Sequence, residues 1–281
     1  MNETARRWIE RHPYLESIAS FHDAIEGAAI AAGIPPAPVP ALEAWTEELG
    51  AGVPLLRSEK AGLRGAPALG EAVAKLAAAA ATAPIPEKLQ AAAAELRDRL
   101  ADPAERARVV DWLVRGPGDS GAGGEAPENA GLVRFVGWTA LAHALAPAVQ
   151  AAAAWRNDDT WNRGSCPTCG ALPMMAQLVP AEVGRRRFLA CGQCHTRWKH
   201  RRIVCPHCAN EDANRLAVLE VQGEPGLRLD VCDACKGYVK TYDGEGQEAL
   251  LLADWPTLHL DVLAGERGFE RRGASLYDLD D

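Results

Sequence analysis

Four cysteine pairs constrain this 281-residue chain more than anything else in it. All eight cysteines fall in CxxC motifs, Cys166/Cys169, Cys191/Cys194, Cys205/Cys208 and Cys232/Cys235, and none lies outside them. Two cysteines three positions apart on a tight turn aim their sulfurs at one point. A second such turn on a facing strand completes a tetrahedron with metal–sulfur distances of about 2.3 Å. The spacing reads C-x2-C-x21-C-x2-C and then C-x2-C-x23-C-x2-C, and each gap suits one β-hairpin of the zinc-ribbon or rubredoxin-like kind. Consecutive pairing is therefore expected, with a cross-braced arrangement (first pair with third, second with fourth) as the alternative. Four thiolates around one ion suit zinc and a single iron equally, so two metal ions in four-cysteine sites, iron or zinc, are expected. Iron–sulfur clusters, or a redox dithiol at one CxxC, fit four matched pairs less well. Gly170, Asn210 and Gly237, just after three of the pairs, are expected to let the backbone curl so that its N–H groups face sulfur.

Half the residues are apolar and the net charge is -8, which excludes a disordered chain and argues against a general nucleic-acid binder. The longest small-apolar stretch, Leu76 to Ala83, is short for a membrane span, and the opening MNETARRWIERHP lacks the apolar core of a signal peptide. A cytoplasmic location follows as the expectation, and reducing conditions there disfavour disulfides.

The fold class expected is α+β. An Ala-rich helical domain (1–160) precedes two tandem rubredoxin-like or zinc-ribbon-like metal modules of four cysteines each (161–203 and 204–245) and a short C-terminal helical tail (246–281). Ala, Leu, Glu and Arg dominate the first part. Helices are predicted over 14–32, with Ile18, Phe21, Ile25 and Ala29 on one face, and over 41–50, 67–82, 86–101, 103–114 and 128–154. Pro67, Pro86 and Pro103 sit near first-turn positions, where proline is favoured. The stretch 116–128, GPGDSGAGGEAPE, reads as a mobile loop. Hairpins are predicted from Met174–Val179 with Arg185–Ala190, and from Arg215–Val221 with Leu227–Val231. Each half then reads knuckle, hairpin, knuckle, aromatic, which suggests duplication.

From Arg185 to Arg202 there are seven basic residues and no acidic one, whereas from Ala209 onward sixteen acidic residues face seven basic ones. The basic run either offsets the formal -2 charge of a tetrathiolate centre or forms a docking patch for an acidic partner. His195, His200 and His207 lie beside cysteines and are expected around the sites rather than as ligands. Trp155, Trp161 and Trp198 are expected to pack the helical region onto the metal region. Carboxylate pairs such as Glu47/Glu48 and Asp158/Asp159 read as surface or capping groups. No catalytic triad spacing, phosphate loop or HExxH element occurs, so no catalytic residue is assigned.

Taken together, CPTCG (166–170), GRRRFLACGQCHTRW (184–198), CPHC (205–208), CDACKGYVKTYD (232–243) and TLHLDVLAGERGFERRGASLYDL (257–279) resemble the formate dehydrogenase accessory proteins of the FdhE type. Gly52 to Leu56 and Trp161 to Ser165 add to the resemblance, which is specific from about residue 155 onward and weak before it. The resemblance implies a cytoplasmic, non-enzymatic assembly factor that binds the molybdenum- or tungsten-containing catalytic subunit of a formate dehydrogenase before export. It implies rubredoxin-like modules with iron as an occupant, and a metal role for Cys166, Cys169, Cys191, Cys194, Cys205, Cys208, Cys232 and Cys235. Two other readings compete: a zinc-ribbon nucleic-acid binder and a thiol-disulfide oxidoreductase. The Gly-rich stretch 116–128 departs from the family pattern, so N-terminal contacts do not transfer by residue.

Overall fold

The computed structural model describes residues 1–115 and 126–279, so most of the expected mobile loop lies outside the described residues. The chain is α+β, with helices first and a mixed sheet after them. Helix α1 spans Glu3–Arg11; the Asn2 side chain accepts from the Ala5 N–H at 2.9 Å, with Glu3 in its first turn and Arg11 in its last. These caps satisfy an orphan donor and match the helix dipole. Helices α2 (Glu16–Ala32), α3 (Thr46–Ala51), α4 (Pro67–Ala80), α5 (Glu87–Arg99), α6 (Pro103–Arg115) and α7 (Ala130–Trp155) follow the predicted segments closely. Of the predicted face on α2, Phe21, Ile25 and Ala29 are buried.

Helix α7 is the spine of this part. It is long and apolar enough to cross a membrane by length and composition, yet 72% of its most apolar stretch is buried inside the fold. The sequence alone points to Leu76–Ala83 as the longest small-apolar stretch. In α7, Thr139, His143 and several glycines and alanines dilute a longer apolar run. α4 and α6 pack against it, and at Gly137 a Cβ would lie 2.4 Å from Leu113 Cδ1.

The strands are β1 (Met175–Pro180), β2 (Arg185–Ala190), β3 (Arg197–His200), β4 (Leu216–Glu220), β5 (Leu227–Cys232), β6 (Gly237–Asp243) and β7 (Glu270–Arg271). Their order is β3-β2-β1-β6-β5-β4, with β7 alongside β6. Both predicted hairpins form, with Met175 opposite Ala190 and Leu216 opposite Cys232. The two halves join through a parallel pairing of β1 with β6, Met175 beside Lys240. β1 and β6 are therefore central strands, buried on both faces over most of their length, while β4 is a solvated edge. In each half the knuckles occupy equivalent places, one before the first strand and one between the second and third.

The tail departs from the expected all-helical return. α8 (Glu248–Leu251) and α9 (Leu258–Glu266) are helical, but the chain then adds β7 to the sheet. Two large cores result. One joins α2 and α4–α7 to Cys166, Cys169, Cys191 and Cys194. The other joins Trp8 and Ile9 of α1 to Leu229, Val231 and Tyr238 of the sheet and Leu260 of α9.

Candidate metal centres

Cys166, Cys169, Cys191 and Cys194 converge, and so do Cys205, Cys208, Cys232 and Cys235, with all sulfurs of each set within 4.8 Å of one another. The pairing is consecutive, and the cross-braced alternative is excluded. In the first set Cys166 Sγ lies 3.5 Å from Cys194 Sγ, and Cys169 Sγ lies 3.4 Å from Cys191 Sγ. In the second the corresponding distances are 3.7 Å (Cys205 to Cys235) and 3.8 Å (Cys208 to Cys232). A disulfide would need about 2.05 Å. A tetrahedron with metal–sulfur bonds of about 2.3 Å has edges of about 3.8 Å, so both cages have the size of one tetrathiolate ion.

The local backbone explains the convergence. The residue after the second cysteine of each knuckle sits at positive φ: Gly170 at 84°, His195 at 57°, Ala209 at 58° and Lys236 at 56°. The expectation that Asn210 and Gly237 would serve this purpose is corrected: the left-handed position comes one residue earlier and accepts side chains. Left-handed non-glycine residues cost about 1–3 kcal/mol each and persist where the surroundings fix them. The turn aims N–H groups at sulfur, from Thr168 to Cys166, from Gln193 to Cys191 and from Gly237 to Cys235, each at 3.4 Å. Gly237 contributes by lacking a side chain, since a Cβ there would lie 2.9 Å from Arg272 and 3.1 Å from His207.

The two sets differ in exposure. All four cysteines of the first are buried; in the second Cys208 is exposed and Cys235 half-buried. Thr168 and Thr196, one from each knuckle of the first set, hydrogen-bond across it at 2.8 Å and are both fully buried. Burial pushes the Cys169 and Cys205 thiols up. Four thiolates held this close therefore require a cation to stay charged. The donor set, the cage size and the N–H donors to sulfur all fit such an ion, so both clusters can bind metal.

The segment Gly52–Leu56 meets the first knuckle through its backbone. Leu55 N–H donates to Pro167 O and Leu56 N–H to Thr168 O, each at 2.9 Å. Trp161 and Trp198 are fully buried and donate to Ser165 O at 2.7 Å and Arg163 O at 3.1 Å. Trp155 stacks on Trp45 at 5.9 Å. Trp161 and Trp198 share one core with the helices and the first centre, as expected, and Trp155 packs against that core. Between the modules, Gly164 touches the second centre's first knuckle: a Cβ there would lie 1.7 Å from the Pro206 carbonyl oxygen. Gly164→Ala is therefore expected to lower stability by about 1–3 kcal/mol through overpacking. Gly27→Ala, in α2 with nothing within 4 Å, should be neutral or stabilising by up to about 1 kcal/mol. Urea unfolding of the two variants side by side checks this.

None of the three neighbouring histidines belongs to a sulfur cage. His195 lies on the surface of its knuckle, and His200 Nδ1 is 3.1 Å from Arg201 O. His207 is held down to about 4 by burial, so it is neutral at pH 7 and its Nε2–H donates to Tyr238 O at 2.9 Å. Four of the seven basic residues in the run pair with carboxylates, and of these four Arg187 alone is buried. Arg185 pairs with Asp243 at 3.1 Å, Arg187 with Asp230 at 3.7 Å, Lys199 with Asp159 at 2.5 Å and Arg201 with Glu211 at 2.7 Å. Arg187 is buried and lies close enough to Cys205 to feel its charge. Both readings of the run thus shrink: Arg187 faces the second centre, and three of the other six basic residues, Arg185, Lys199 and Arg201, hold acidic neighbours. Asp158, read as a capping or surface group, accepts from the Lys199 N–H at 2.9 Å and from Arg156 at 2.6 Å.

Residues 165–202 match the family described as "FdhE, central domain", and residues 203–277 match "FdhE, C-terminal domain". The chain is 31% identical over 206 residues to the "Protein FdhE homolog" of Stutzerimonas stutzeri, covering 68% of this chain and 61% of that protein. It is 29% identical over 119 residues to the "Protein FdhE homolog" of Haemophilus influenzae, covering 41% of this chain and 39% of that one. The chain therefore spans about three fifths or less of the length of these relatives. The crystal structure of the FdhE protein from Pseudomonas aeruginosa has the same fold, with a TM-score of 0.58 at 23% identity over 93% of this chain and 95% of that one.

Proposed function

This chain is an FdhE-type protein, and from that premise we propose that it is an accessory factor in formate dehydrogenase assembly, docking on the enzyme's catalytic subunit in the cytoplasm. It acts by binding rather than by catalysis. The eight cysteines hold one ion in each cage, iron or zinc. An ion there supplies rigidity, and iron would in addition respond to the electron supply.

The observation that carries the reading is the difference between the two cages. The first is sealed in the helical core and serves as a staple. The second opens at the surface beside a cleft of about 270 Å³ lined by Arg187, Arg202, Ile203, Cys205, His207 and Val218, among others. Ile203 is 65% exposed and Val218 48% exposed there, which suits a protein partner. Four of the seven basic residues from Arg185 to Arg202 are held by carboxylates, which breaks up the free basic stripe that a nucleic-acid binder would use. Sulfurs gathered in fours, rather than in reactive twos, weigh against a thiol oxidoreductase.

Tagged protein from anaerobically grown cells should co-purify with a formate dehydrogenase catalytic subunit. Ile203→Asp with Val218→Asp should weaken that capture while leaving metal content unchanged. Elemental analysis of the same preparation identifies the ion. Clean absence of the subunit from the wild-type eluate would overturn the proposal.

A further inference from the structure

We propose that His12, Glu224 and His259 form a third metal site, which takes a divalent transition ion such as zinc or ferrous iron and leaves coordination positions open. The three come from distant parts of the chain: His12 just after α1, Glu224 in the turn between β4 and β5, and His259 in the first turn of α9. One ligand atom from each lies within 4.8 Å of the others. Glu224 Oε1 is the hub, in direct contact with His12 Nε2 and 3.4 Å from His259 Nε2. The side chains of His12, Glu224 and His259 are 6%, 10% and 15% exposed.

Each partner is prepared as a ligand. His12 Nδ1 lies 2.9 Å from Trp8 O. An N–H donated there leaves the Nε2 lone pair facing the cluster, the arrangement by which ligating imidazoles are oriented. Trp8 stacks on the His12 ring at 4.2 Å, and the His12 and His259 rings stack at 5.2 Å. Tyr14 meets both rings edge-on at 5.9 Å. The rings are thus locked before any ion arrives.

His259 supplies the sharpest observation. Both of its ring nitrogens are buried without a hydrogen-bond partner. An orphaned buried nitrogen destabilises the fold, and an ion on Nε2 would give that nitrogen a partner. Two imidazoles and one carboxylate are also the donor set of mononuclear zinc and iron(II) sites with open positions. Tyr14, 62% exposed, leaves one side of the cluster near solvent. An ion pair between protonated His12 and Glu224 would account for those two residues but not for His259. None of the three residues belongs to the sulfur cages, so the inference is independent of the proposed function.

The full-length protein, with both sulfur cages loaded with zinc, is titrated with cobalt(II) and followed by absorption and calorimetry. One further equivalent should bind with weak visible bands and no thiolate charge-transfer absorption. His259→Asn and Glu224→Gln should each abolish it while zinc content stays as in the wild type. Three results would overturn the site: no further equivalent in the wild type; a further equivalent that both variants retain; or one whose spectrum carries thiolate charge transfer. The wild-type titration decides by itself should either variant misfold.

Discussion

Cys166→Ser is expected to damage this protein far more than Cys208→Ser, although both remove one thiolate from a four-sulfur cage. Cys166 is fully buried, and its cage is built into the same core as α4, α7, Trp161 and Trp198. Cys208 is exposed at the rim of the second cage. Structural zinc contributes on the order of 10–16 kcal/mol in small zinc-binding domains, whereas a whole domain is stable by about 5–15 kcal/mol. Losing even half of the first ion's contribution would consume the stability of the helical core packed on it. The backbone contacts from Leu55 and Leu56 to the first knuckle would fail with it. Cys166→Ser should therefore aggregate or unfold without a cooperative transition. Cys208→Ser should lose the second ion yet retain a cooperative thermal transition from the first core. Elemental analysis with calorimetric melting reads both. Equal losses in the two variants would show that the cages share one cooperative unit and that their difference in burial has no energetic meaning.

What is legible in the sequence follows from the range of the signals. The knuckles, the consecutive pairing and both hairpins are local, and each is written in spacing within about one strand pair. Pro67, Pro86 and Pro103 mark three helix starts because proline tolerates the first turn and nothing further in. Long-range pairing leaves no such trace. The parallel register of Met175 beside Lys240 fuses the two modules, and only the tertiary fold states it. Helix α1 hides in a short, highly charged segment, although Asn2 capping and the Trp8–Ile9 pair are available as cues. Propensity points to glycine and asparagine after three of the knuckles, while the cages impose the left-handed conformation on His195, Ala209 and Lys236. The run Arg185–Arg202 looks unopposed because its carboxylates, Asp159, Asp230 and Asp243 among them, lie outside that stretch of sequence. The His12, Glu224, His259 cluster has no local signature at all, since its members meet only when α1, the β4–β5 turn and α9 pack together.

A second large effect is expected at Lys240, a charged residue at the middle of a strand buried on both faces. Its side chain is 1% exposed and pairs with Asp254, itself 3% exposed, and with Asp261 at 2.9 Å. Arg271 closes the square, 2.7 Å from each carboxylate. Tyr238 and Ser275 hydroxyls donate to Asp261 and Asp254 at 2.6 Å and 2.7 Å. Two cations thus balance two anions, and the network ties β6 and β7 to the segments around α9. Asp254 itself sits at φ 68°, a conformation that surrounding contacts must hold in place. Lys240→Met removes one cation and leaves the buried Asp254 and the half-buried Asp261 facing a single guanidinium. Breaking a buried pair in this way costs about 3–5 kcal/mol. Adding Asp254→Asn to Lys240→Met should cost less than the sum of the single changes, since the two act within one network. The effect should also depend on pH. Burial raises the Asp254 carboxyl, but Lys240 and Arg271 overcome this and hold it well below the usual carboxylate range. A depressed folded-state pKa gives stability that is complete above the unfolded value of about 3.9 and is lost as pH falls through the folded value. The wild type should therefore weaken steadily below about pH 4, while Lys240→Met, already lacking the cation, should weaken less. The gap between their denaturant midpoints should be wide at pH 7 and narrow towards pH 3. A gap that stays constant across this range would mean that Lys240 stabilises β6 by packing its stem and not through its charge.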